Sequence, residues 1–105
     1  MKKLKQNATL QDIQSYVKEM EKERGFDQDS ILQKCLMLGE ETGELFRSIR
    51  KDQGLKADIN KEYGDTALEL ADVLIYLCSI ANRLDINLEK AFQDKEEINE
   101  QRIWK

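Results

Sequence analysis

The run Ala67-Leu68-Glu69-Leu70-Ala71-Asp72-Val73-Leu74-Ile75-Tyr76-Leu77-Cys78-Ser79-Ile80-Ala81 is the most apolar stretch of the chain, and two acids interrupt it. Tyr63, Ala67, Leu70, Leu74, Leu77, Ala81 and Leu84 step by four and three, the spacing of a helical seam packed against near-parallel neighbours. Leu68, Ala71, Ile75 and Cys78 add a second stripe, and a helix that is apolar nearly all round is buried nearly all round. The other helices of one small domain could hardly cover it, so a subunit interface along this helix is expected. The run falls short of the ~20 residues that a membrane span needs.

The interrupting acids decide what the helix is for. Glu69 and Asp72 are three residues apart, about 300° of helical turn, and therefore leave one face a turn apart. Tyr76 follows on that face, with Ser79 and Arg83 beyond it. Earlier in the chain Glu41 and Glu44 repeat the spacing after Cys35-Leu36-Met37-Leu38. Carboxylates carried on core helices repel one another unless cations sit between them. With no His in the chain and no thiolate beside the acids, an oxygen-only donor set selects a hard ion, Mg²⁺ or Mn²⁺.

Around these pairs the chain reads as helices throughout. Thr9 caps a first helix with the stripe Leu10, Ile13, Tyr16, Val17 and Met20, which Gly25 ends. Residues 26–30 form a polar connection in which Asp27, Asp29 and Ser30 can each cap the next helix. That second helix runs to about Lys51 with the seam Ile31, Cys35, Leu38, Thr42, Leu45 and Ile49. A linker from Asp52 to Asn60, carrying Gly54, joins antiparallel neighbours, and the third helix is expected to start near Asn60. After a turn at residues 85–87, Asn87 caps a last helix with the apolar face Leu88, Ala91 and Phe92. Lys95, Asn99 and Arg102 then occupy positions where a core helix would keep placing Leu or Ile, and two cations with an amide suit phosphate oxygens.

Composition sets the class. At 105 residues, with 36% charged and 40% hydrophobic residues and no proline, the chain is expected to form one all-α domain, a four-helix bundle spanning residues 1–105. A formal charge of −4 with no extended basic patch argues against a nucleic-acid surface. No apolar segment follows Met1-Lys2-Lys3-Leu4-Lys5, and Cys35 and Cys78 read as buried free thiols, so a cytoplasmic location is expected.

Glu40-Glu41-Thr42-Gly43-Glu44 and Glu69-Leu70-Ala71-Asp72, with residues 45–68 between them, resemble the paired acidic segments of the MazG-like family of all-α nucleoside triphosphate pyrophosphohydrolases, relatives of dimeric dUTPases and dCTP pyrophosphatases. The likeness continues through Asp72-Val73-Leu74-Ile75-Tyr76-Leu77 to Lys95, Asn99 and Arg102. It implies that Glu41, Glu44, Glu69 and Asp72 hold Mg²⁺, with Glu40 behind them, and that Tyr76, Lys95 and Asn99 contact the nucleotide, Lys95 on phosphate. It also implies hydrolysis of the α–β phosphoanhydride of a nucleoside or deoxynucleoside triphosphate to monophosphate and pyrophosphate, in a homo-oligomer, dimer or tetramer, that clears surplus or non-standard nucleotides. Glu40 and Glu41 are the two candidates for accepting a proton from the attacking water. For the base, Phe26 is the candidate.

The competing class is a non-enzymatic helical dimerisation module, which accounts for the apolar run but not for acids at matched spacing on two helices. Di-iron bundles take Glu-x-x-His pairs, and the chain has no His. An EF-hand needs an acidic loop, whereas these acids are helical. Tyr76 also suits a core position, and Lys95, Asn99 and Arg102 an ordinary solvated face paired with Glu96 or Glu100.

Overall fold

Capping residues set where each helix begins. Thr9 starts α1 (Leu10–Arg24) with a capping box: its Oγ1 accepts from the Asp12 amide at 3.1 Å, and Asp12 Oδ2 accepts from the Thr9 amide at 2.9 Å. Ser30 and Gln33 make the same reciprocal pair at the start of α2 (Ile31–Asp52). Asp65 caps α3 (Thr66–Arg83) and Asn87 caps α4 (Leu88–Glu100), each side chain accepting one amide of the first turn. Gly25 closes α1 at φ 79°, a left-handed conformation that costs a residue with a Cβ but not glycine. The computed structural model describes residues 1–104; these contain four helices and no strand, the all-α architecture expected.

The third helix does not begin near Asn60. Residues 53–65 are irregular: the Asp58 amide donates to the Tyr63 hydroxyl at 2.9 Å, the Asn60 amide donates to Asp58 Oδ1, and the residue that caps the next helix is Asp65. Tyr63 therefore lies outside the seam assigned to it. The Thr66 hydroxyl bonds to Asp52 and Ser48, tying the end of α2 to the start of α3.

Across that pair, contacts run in opposite directions along the two helices: Ser48 with Thr66, Glu41 with Glu69 and Asp72, Lys34 with Tyr76. α2 and α3 are thus antiparallel. α1 packs on α3, and α4 packs on α1. The core is Val17, Met20 and Cys78, with Ile13, Tyr16, Leu74, Ile75 and Leu88 against it. Burial raises the Cys78 thiol above its ordinary value and keeps it neutral. Gln14 ties the corner of α1, α3 and α4, donating to Asn82 Oδ1 at 3.0 Å and to the Ile86 carbonyl at 2.6 Å and accepting from the Leu88 amide at 2.9 Å.

The inward face of α2 is rotated from the expected seam. Lys34 and Ser48 are buried, as is Leu45, with Leu38 and Glu41 half-buried between them, whereas Cys35, Ile31 and Ile49 are exposed. Cys35 is not the buried thiol anticipated. The reason is chemical: Lys34 and Ser48 find charged or hydrogen-bonding partners inside, so the buried stripe is not the most apolar one. Nor is α3 covered all round within one chain. Leu68 is 67% and Leu70 54% exposed. No helix among the described residues is long and apolar enough to cross a membrane.

Candidate functional site

Where the α2 and α3 faces meet, Glu41, Glu69 and Asp72 point at one another. One oxygen from each carboxylate lies within 4.8 Å of the others, and all three residues are half-buried. Thr42, beside Glu41, turns its hydroxyl back to the Leu38 carbonyl at 2.8 Å. Asp65 anchors the first turn of α3, its backbone oxygen accepting from the Glu69 amide at 2.9 Å. Each of these carboxylates thus hangs from a capped or internally bonded helix.

The electrostatics are those of crowded anions. Burial raises the Glu41 carboxyl above its ordinary value, a hydrogen bond with Glu69 adds to the rise, and the charges of Asp72, Glu69 and Glu44 add further. Burial also raises the Tyr76 phenol, and the charges of Glu41, Asp72, Glu40 and Glu21 push it the same way. Three convergent carboxylates with no cation of their own fit a divalent hard ion, which would turn this repulsion into binding energy.

Glu44 is not in the convergent trio. It is half-exposed and lies 3.6 Å from Arg47 Nη1, one turn along the same helix. Glu40 is exposed beside it. Lys95 and Arg102 are exposed on or just beyond α4, Asn99 is half-buried there, and none of the three lines the cavity next to the carboxylates.

That cavity, about 240 Å³, opens between α1, α2 and α3 and shares Asp72 with the trio. Tyr76, Ile75 and Met37 form its wall near the acids, and Phe26 and Arg24 lie at the α1 end. Its floor carries a charge network that the sequence reading missed. Lys34 Nζ sits 3.1 Å from Asp29 and 3.5 Å from Glu21, with its side chain 4% exposed, and lies 5.1 Å from the Phe26 ring centroid and 5.9 Å from that of Tyr76. Arg83 grips Glu21 with both terminal nitrogens, at 3.0 and 2.9 Å, and also donates to the carbonyls of Phe26 and Asp29. Two cations and two carboxylates balance, and the residue 26–29 loop is pinned to α3. Burial opposes ionisation of Glu21, but Arg83, Ser79 and Lys34 outweigh it and hold the carboxyl below its ordinary range. A legible signal existed: Lys34 lies four and seven residues before Leu38 and Glu41, on their face of the helix.

The sequence profile of the MazG nucleotide pyrophosphohydrolase domain matches residues 28–102, a span that contains Glu40, Glu41, Glu44, Glu69 and Asp72. Among solved structures, iMazG from Vibrio DAT 722 is 33% identical, with 93% of this chain and 100% of that one covered at a TM-score of 0.68. A candidate pyrophosphatase of Bacillus subtilis, YpjD, is 31% identical, with 94% and 100% covered and a TM-score of 0.80. Among curated proteins, no relative matches the sequence.

Proposed function

Because the chain belongs to the MazG nucleotide pyrophosphohydrolase family, we propose that it hydrolyses a nucleoside or deoxynucleoside triphosphate at the α–β phosphoanhydride, releasing monophosphate and pyrophosphate. The observation that carries this reading is the convergence of Glu41, Glu69 and Asp72 at the mouth of a cavity lined by Tyr76 and Lys34. The three carboxylates would hold Mg²⁺, or Mn²⁺, with Glu44 joining them once its side chain leaves Arg47. Bound there, the ion supplies neutralisation for a polyanionic substrate and Lewis acidity at phosphorus.

The remaining work falls to the chain. Tyr76 donates its hydroxyl to the nucleotide, the neutral form being the one that its anionic neighbours favour. Phe26 offers an aromatic face to the base at the far end of the cavity. Glu41 and Glu40 are the two candidates for taking the proton of the attacking water. Lys95, Asn99 and Arg102 would bind phosphate only if a second copy laid its own α4 beside this site, because α4 packs on α1 within one chain. The exposed leucines of α3 support such a homo-oligomer. The reading is of a single cytoplasmic domain, residues 1–105, that clears surplus or non-standard nucleotides and binds neither nucleic acid nor membrane.

A panel of ribo- and deoxyribonucleoside triphosphates incubated with the protein and Mg²⁺ tests the reaction. Pyrophosphate release, absent in Glu69→Gln, is expected; orthophosphate as the only product would refute the assigned bond. The dimerisation-module reading predicts no turnover with any triphosphate.

A further inference from the structure

One glycine lies against an acid of the trio. A Cβ built on Gly64 would fall on Glu69 Oε1 and lie 2.9 Å from Cδ and 3.2 Å from Cγ of the same side chain. Gly25, Gly39, Gly43 and Gly54 would meet nothing within 4 Å. Gly64 does not have a positive φ, so a left-handed backbone is not what calls for glycine here. What the missing side chain leaves here is room, and Glu69 fills it.

We propose that Gly64 is a positioning residue for the Glu69 carboxylate, a proposal that rests on the reading of Glu41, Glu69 and Asp72 as a divalent-metal site. Asp65, the next residue, fixes the first turn of α3 through its side chain and its backbone oxygen. The Gly64–Asp65 corner therefore sets both the root and the tip of Glu69. The three atoms nearest to an alanine Cβ at 64 all belong to the flexible Glu69 side chain, so the carboxylate gives way before the backbone does and leaves the position in which its oxygen lies within 4.8 Å of those of Glu41 and Asp72. Losing the aim of one ligand in three weakens metal binding without loosening the fold.

Mn²⁺ affinity of the full chain, read by titration calorimetry, tests this alongside the thermal midpoint in chelator. Gly64→Ala is expected to leave the chelator midpoint at or slightly above the starting value and to weaken Mn²⁺ binding by about 10- to 100-fold, the range for residues that orient metal ligands. Introduced into Glu69→Gln, the same change is expected to add no further loss. Glu69→Gln with undiminished Mn²⁺ affinity would sink the metal-site reading itself, and the proposal with it. Weak binding in Glu69→Gln but unaltered binding in Gly64→Ala would leave the metal site standing and overturn the role of Gly64. A lowered chelator midpoint for Gly64→Ala, or an equal loss in both backgrounds, would also overturn it, by assigning the effect to the backbone.

Discussion

Glu41→Gln should make the metal-free protein more stable while weakening its response to metal. The substitution removes two of the three repulsions among Glu41, Glu69 and Asp72. For unit charges at 4.8 Å, the outer limit of the separations, each repulsion is worth about 0.9 kcal/mol in water and about 3.5 kcal/mol at an effective dielectric of 20. The groups are half-buried and screened by solvent, so the lower end applies, about 1–2 kcal/mol for the two together. For a domain of this size that raises the thermal midpoint by roughly 5–10 °C. Calorimetry in chelator and again in excess Mg²⁺ reads both halves of the claim. The unsubstituted chain should rise on adding Mg²⁺, as any ligand of the native state requires, and Glu41→Gln should rise much less. The pH dependence supplies a third check. Because the folded Glu41 carboxyl sits above its unfolded value of 4.5, its contribution to stability falls as pH rises through that window, and Glu41→Gln should flatten this slope. A midpoint in chelator at or below the starting one, or an undiminished gain from Mg²⁺, would refute the account of the trio.

The other predictions concern the cavity floor and wall. Glu21 has the opposite sign to Glu41: its folded carboxyl is held below 4.5, so its stabilisation is full above that pH and disappears as pH falls through the folded value, and Glu21→Gln should lose less stability on acidification than the parent. Arg83→Met leaves the buried Glu21 carboxylate with only Lys34 and should cost about 3 kcal/mol in a denaturant melt; a loss below ~1 kcal/mol would show that the bidentate pair is not what pins the loop. Tyr76→Phe should raise KM for the triphosphate several-fold with the fold intact, and unchanged steady-state constants would remove Tyr76 from the substrate contacts.

The sequence made the helices legible because their start signals are local. Thr9, Ser30 and Asn87 all cap as expected, and Gly25 ends α1. Three of the four acids proposed as ligands converge, since spacing on a helix sets which face a side chain leaves from and apolar flanks set that this face turns inward. Two errors share one cause, the equation of inside with apolar. Apolar patterning puts Cys35 inside and Lys34 outside, yet Lys34 is buried because Glu21 and Asp29 neutralise it, partners 13 and 5 residues away that become neighbours only through packing. α3 starts at Thr66 and not near Asn60 because Tyr63 and Thr66 find partners in the loop and on α2, which the local pattern does not encode. The positions of Lys95, Asn99 and Arg102 relative to the acids depend on how α4 docks, which no local pattern encodes.

α4 buries none of its residues, and only its first turn, through Leu88, reaches the core. A 13-residue helix with no fully buried residue sits near the limit at which backbone bonding alone holds in water. Its amide hydrogens beyond the first turn should therefore trade with solvent at rates set by local fraying, far ahead of those in α2 and α3. Anything that clamps this segment must supply the ordering free energy, and in return it gains a contact that tightens or relaxes without disturbing the rest of the bundle.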